Sequence, residues 1–347
     1  MMIQKAILHV LDFGTSMCLL SQKELDLSIE TVYDYVSKRV EKSLHDPAGR
    51  TGIFYETSAV KRQLETYASQ DLSFQELADG LAKEVFESLK LQAEADTTDL
   101  LVISFKDEAQ REGIALFFLE NRTAYTHRIM TDEDGVYSQI IEYQAVLPGL
   151  MQKAEAYVFI DLSDFTLRFV DKKRSINGED VYALPELILQ CTTVLSGKET
   201  VKKTEKLLTK VAEEYGKNPV EALAKGKQYL AQTAETGSNF APQAFGEAAF
   251  AGEPSLQGTF TEKLRQAEDI PKEVKVESRF AERTGTVHKI KTDTGIEITF
   301  PSAYMENPDF IQFFTRPDGT LSIELKGIGK KKKKKNRECD GWGGWPL

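Results

Sequence analysis

Lys202, Lys206 and Lys210 recur every four residues with Lys203 beside them, so a helix here would set three ammonium groups along one face. Such a row can contact successive phosphates of a polyanion. Two further basic groups have the same chemistry. Arg168, Lys172, Lys173 and Arg174 surround only Asp171, while Arg279, Arg283, His288, Lys289 and Lys291 lead into the last ordered segment. The alternative for each group is a solvated face neutralised by neighbours such as Glu199, Glu205, Glu277 and Glu282.

Two other spacings suggest chemistry. Asp161 and Asp164 follow an apolar strand, where acid pairs hold magnesium in phosphoryl-transfer enzymes; the competing reading is a strand end with an aspartate-capped turn around Ser163. Gly327-Ile328-Gly329-Lys330 imitates the end of a phosphate loop. It lacks the earlier glycine and the following Ser or Thr, and it follows a strand instead of opening a helix. His9, His45, His127 and His288 stand alone in separate segments, so no metal and no cofactor is expected, and no catalytic residue is assigned.

Charge constrains how a polyanion is met. The formal net charge is −10, yet 330–347 carries seven Lys and Arg against two acids, or +5, which leaves −15 for the body. Attraction must come from a local patch, because the long-range field opposes it. The tract Lys330 to Lys335 and the stretch holding Trp342 and Trp345 have neither helical nor strand periodicity, and are expected to be a disordered or appended tail.

The elements that must position these residues follow from periodicity. Ile3 to Val10 and Met17 to Leu20 read as an opening hairpin. Ser28 is expected to cap a helix ending before Pro47, Ser58 to open a second, and Ser73 with Glu76 to form a capping box for a third. Leu100 to Phe105, Gly113 to Leu119, Ala124 to Ile129, Val136 to Tyr143 and Ala156 to Ile160 are branched and aromatic segments with short connections. They suggest an antiparallel sheet with helices on one face. Helical spacing resumes over Leu187 to Leu195, Val201 to Val211 and from Pro219, and the stretch Gly237 to Gly258 reads as either a loop or a weak helix across Pro242 to Ala251. Two hairpins follow Pro271.

The expected fold is therefore α+β: an N-terminal antiparallel sheet with packed helices (1–175), a central helical region (176–270), a small C-terminal β-hairpin module (271–329) and the Lys-rich tail (330–347). Cys18, Cys191 and Cys339 fit no disulfide framework and no zinc spacing, and no long apolar run follows the amino terminus. A cytoplasmic chain with no membrane partner is the expectation. The alanine-rich helices between Pro219 and Ala251 are candidates for pairing with a second copy.

Several stretches, taken in order, resemble one family. They are Ile3 to Asp12, Leu20 to Leu27, Leu100 to Phe105, Ile114 to Leu119 and Phe310 to Thr320. Their sequence and spacing are similar to the bacterial 37-kilodalton nucleoid-associated proteins, over most of the chain up to about Gly329. The resemblance implies a cytoplasmic, nucleoid-located, non-catalytic protein that binds nucleic acid, with DNA, RNA and other nucleoid proteins as partners. It supplies no binding residues, so the basic clusters stand on their own spacing. Tyr304, Phe310, Phe313 and Phe314 can stack on unpaired bases or pack in a core. Two other readings stay open: an acidic scaffold recruited to the nucleoid by basic partners, and a magnesium-dependent nuclease at Asp161 and Asp164.

Overall fold

The computed structural model describes residues 1–92, 97–291, 295–301, 304, 307, 309–315 and 321–327. The tail after Lys330, the Gly327 to Lys330 imitation of a phosphate loop beyond Gly327, and the turn through Pro317 lie outside them, apart from the residues just named. The fold is mixed α+β.

The chain opens with β1 (Met2–Asp12) and β2 (Met17–Leu19), an antiparallel hairpin as the alternation requires. Then come α1 (Glu30–Leu44), the short β3 (Arg50–Ile53), α2 (Ala59–Ala68) and α3 (Phe74–Leu89). Ser58 caps α2 through the Lys61 N–H, and Ser73 and Glu76 close the capping box on α3. Ser28 does not cap α1. Its hydroxyl donates to Asp26 in a local turn, and Ile29 is left at the cap position.

Next are β4 (Thr98–Lys106), β5 (Glu112–Glu120), β6 (Arg122–Asp132), β7 (Gly135–Val146), β8 (Ala156–Asp161) and β9 (Thr166–Val170). Seven strands form one antiparallel sheet in the order β2-β1-β4-β5-β8-β9-β3. The strands β6 and β7 leave it between β5 and β8 and pair only with each other.

The sheet is buried on both faces, which corrects the expectation of helices on one. Ile7, Leu100, Val102, Leu116 and Val158 pack with Leu77, Leu81 and Val85 of α3. The alternate residues Ala6, Leu101, Ile103, Phe117 and Tyr157 pack with Val36 and Val40 of α1. The buried residues of the central strands thus face α3 on one side and α1 on the other. This is why Leu100 to Ile103 is continuously apolar and shows no period-two alternation. On α1, the buried Arg39 guanidinium donates to the Pro148 carbonyl at 2.6 Å and the Gln152 carbonyl at 2.9 Å. These bonds fix the loop where β7 returns to the sheet.

The hairpin β10 (Lys173–Ile176) and β11 (Glu179–Tyr182) precedes a π-helical turn at Leu184–Ile188. The helix expected through Leu195 does not form. Beyond the turn the chain extends along β3, with Cys191 bridged to Phe54 and Val194 to Thr51. Gly52 allows this approach, because a Cβ there would lie 2.3 Å from the Thr192 carbonyl oxygen.

Four helices follow: α4 (Gly197–Glu214), α5 (Pro219–Thr236), α6 (Pro242–Ala249) and α7 (Pro254–Gln266), the last three each with proline in the first turn. With α8 (Ser278–Thr286) they share a core of Val201, Leu208, Leu230, Phe245, Phe260 and Ala281. The small residues of α5 are used within the chain. Gly226 faces the Phe245 ring and Ala231 faces Gly285. Two hairpins end the described chain, β12 (Val287–Lys291) with β13 (Glu297–Pro301) and β14 (Ile311–Thr315) with β15 (Leu321–Leu325).

Candidate nucleic-acid interface

The helix α4 begins at a second capping box. Ser196 accepts from the Glu199 N–H, and the Glu199 carboxylate accepts from the Ser196 N–H at 3.1 Å. The spacing Ser196-x-x-Glu199 is the same signal that marks α3, although sequence analysis singled out only the first. Thr200, Val201, Thr204, Leu208 and Val211 turn inward, so at 100° per residue Lys202, Lys206 and Lys210 fall on the opposite face. All three are exposed, and none has an ion-pair partner among the described residues.

The acids expected to neutralise that face point elsewhere. Glu199 takes a forked pair from Arg50 in β3, Nη2 to Oε1 at 2.6 Å and Nε to Oε2 at 3.0 Å, and the guanidinium lies over the Tyr182 ring. Burial pushes the Glu199 carboxyl up, but the bonds from Arg50 and Ser196 outweigh it and hold its pKa below the ordinary value. Glu205 pairs with Lys227 of α5 at 3.4 Å. Lys203 is neutralised by Asp269.

The basic group around Asp171 is largely consumed inside the fold. Arg168 donates to Glu277 at 2.9 Å and to the Asp46 carbonyl at 2.7 Å. Lys172 lies 2.6 Å from Glu120 and 3.0 Å from Glu155. Arg174 is mostly buried against Asp171 at 2.6 Å, whose carboxyl burial pushes up despite that pairing. Lys173 alone of this group is exposed, its ammonium over the Tyr182 ring.

In the third group Arg279 and Arg283 are exposed on α8 without a partner among the described residues. Lys289 pairs with Glu297 at 2.7 Å, and the side chains of His288 and Lys291 lie outside the described residues. The start of α4 touches the chain leading into α8, since a Cβ on Gly197 would lie 2.7 Å from the Lys275 carbonyl oxygen. Lys275 is exposed there, as is Lys272. Neither stands out in sequence, because single lysines among glutamates form no cluster. Of the aromatics, Tyr304 and Phe310 stack on each other with centroids 4.6 Å apart, both partly exposed together with Phe314, while Phe313 meets the buried Phe300.

The Asp161 and Asp164 carboxylates do not face a common cleft with further acids. Asp161 lies 3.0 Å from Arg111 and accepts from the Ser163 N–H at 2.8 Å. Asp164 accepts from the Thr166 N–H at 2.9 Å, and that bond holds its carboxyl below the usual range. These are turn caps with a salt bridge, which removes the basis for the nuclease reading. Among the described residues no group of three or more His, Cys, Asp or Glu is placed to hold a metal ion, and no helix is long and apolar enough to cross a membrane.

No curated protein is significantly similar to the chain. A family model described as nucleoid-associated protein YejK (NA37) matches residues 7–333, nearly the full length, and the chain belongs to that family of nucleoid-associated proteins.

Proposed function

We propose that the chain binds nucleic acid through the outer face of α4, with Lys202, Lys206 and Lys210 contacting phosphates. The observation that carries this reading is the removal of Glu199 and Glu205 to Arg50 and Lys227, which leaves the three lysines exposed and unneutralised. Successive lysines are separated by about 6 Å along the helix axis, a step on the scale of a phosphodiester repeat. Glu213 bounds the row at its C-terminal end. Phosphate contacts release counterions and supply affinity with little base specificity.

Lys275, Arg279 and Arg283 extend the surface from the α4 start toward α8, and Lys173, Lys289 and Lys291 lie outside this principal row. Arg168, Lys172 and Arg174 hold the fold together by their internal pairs and only secondarily face a ligand. Tyr304, Phe310 and Phe314 add stacking on unpaired bases from 271–329. The protein acts without catalysis, in the cytoplasm and at the nucleoid, with DNA and RNA as ligands.

Fluorescence anisotropy with labelled duplex DNA, single-stranded DNA and RNA over a salt series tests this, on the full chain and on a chain ending at Gly329. The expected result is binding by both, with log affinity falling linearly against log salt. Binding that vanishes with the lysine tail would transfer the activity to 330–347. The acidic body would then stand as a scaffold for basic partners.

A further inference from the structure

The ribbon of β6 and β7 stands outside the seven-stranded sheet, and β6 is exposed over most of its length. The pairing of Arg122 with Val146 closes the root of the ribbon, and beyond it the two strands of the ribbon pair only with each other. Side chains on one of its faces, Tyr125, Ile129, Val136 and Ile140, are 66% to 77% exposed. A two-stranded ribbon of this kind is marginal alone in water, and three or more strands are needed for independent stability.

The strand β7 also lacks the devices that protect an open edge. Over twelve residues it has no proline, no lysine and the single charge Glu142, and its outer edge is unpaired among the described residues. We propose that this edge is the dimer contact of the protein, with β7 of two copies paired antiparallel about a two-fold axis at Ile140.

The sequence of β7 is self-complementary in that register. Ile140 falls opposite the second copy's Ile140, Tyr137 opposite its Tyr143, and Glu142 opposite its Ser138, so the one charge does not meet itself. A shift of the axis to Gln139 sets Val136 against Glu142, and a shift to Ile141 sets Ile140 against Glu142. A two-fold axis normal to the sheet keeps residues of like parity on one face, so Val136 and Ile140 of both copies join Ile129 and Tyr125 in one apolar surface.

Charge favours a second copy over a polyanion. The tip of the ribbon carries Asp132, Glu133 and Asp134, which repel phosphate. In the antiparallel register Asp134 lies beside the second copy's Val146, whose other neighbour is Arg122, so the acidic tip of one ribbon comes level with a guanidinium of the other that also lies 3.7 Å from Glu155. The result is a four-stranded sheet with β6 at each edge.

Sedimentation velocity of the full chain at micromolar concentration should give twice the mass of one chain. Ile140→Asp should give the single-chain mass with an unchanged circular dichroism spectrum, because Ile140 is exposed within one copy. In a Cys339→Ser background, Ile140→Cys should form an intermolecular disulfide under mild oxidation. Val136→Cys should not, since the two Val136 positions would be about 27 Å apart. A wild-type monomer, a dimer unaffected by Ile140→Asp, or equal cross-linking at Val136 would each overturn the proposal.

Discussion

Arg50 and Glu199, 149 residues apart in sequence, meet in a forked ion pair that ties β3 to the first turn of α4. The pair does two things at once. It anchors the helix that carries the lysine row, and it draws an acid away from that row.

Replacing Glu199 by Gln keeps a side chain that can accept from the Ser196 N–H but removes the charge facing Arg50. Loss of the pair should lower stability by about 1–2 kcal/mol, read as a lower midpoint of urea unfolding at unchanged slope. The folded carboxyl is depressed, so its contribution is complete above the unfolded value of about 4.3 and is lost as pH falls through the folded value. The gap between wild type and variant should therefore narrow below about pH 4.

His9 gives a second pH dependence of the same direction. It is fully buried in β1, its Nδ1 accepts from the Ser21 N–H at 3.1 Å, and Nε2 lies 3.8 Å from Asp79. Burial lowers its pKa, and Asp79 only partly restores it. The unfolded chain then binds more protons below about pH 6.5, so stability should rise as pH climbs from the lowered folded value toward about 6.5 and level off above. The slope cannot exceed about 1.4 kcal/mol per pH unit from this one group. His9→Asn keeps an acceptor for Ser21 and should abolish this part of the dependence in denaturation series; an unchanged slope would assign it elsewhere.

Gly52 is where the central helices are sewn to the sheet. A methyl group there meets the Thr192 carbonyl oxygen and, at 3.3 Å, the Phe169 ring. Gly52→Ala should cost about 1–3 kcal/mol by displacing the strand-like segment from β3. Hydrogen exchange at the Thr51 and Val194 amides, which bond to each other's carbonyls, should accelerate in the variant.

What could be read in sequence was local. The capping box at Ser73, the proline opening at Pro219, and the terminal hairpins each depend on residues a few positions apart, and each forms. Leu187 to Leu195 misled because its apolar spacing suits a helix, whereas the partner that turns it into an extended segment is β3, remote in sequence. The candidate interface divides in the same way. The four-residue spacing of the lysines is written in the chain, but the fate of the acids beside them depends on Arg50 and Lys227, which only the folded arrangement brings near. Arg168, Lys172 and Arg174 look as available as the α4 lysines in sequence, and their partners Glu277, Glu120 and Asp171 are what set them apart.

The most direct measurement compares the wild type with the triple variant Lys202→Gln, Lys206→Gln, Lys210→Gln, both ending at Gly329, by anisotropy on labelled duplex DNA across a salt series. The account predicts weaker binding and a log–log salt slope shallower by about 3, near one unit for each phosphate that a lysine no longer neutralises. Equal affinity and an equal slope in the two proteins would contradict it and remove α4 from the interface.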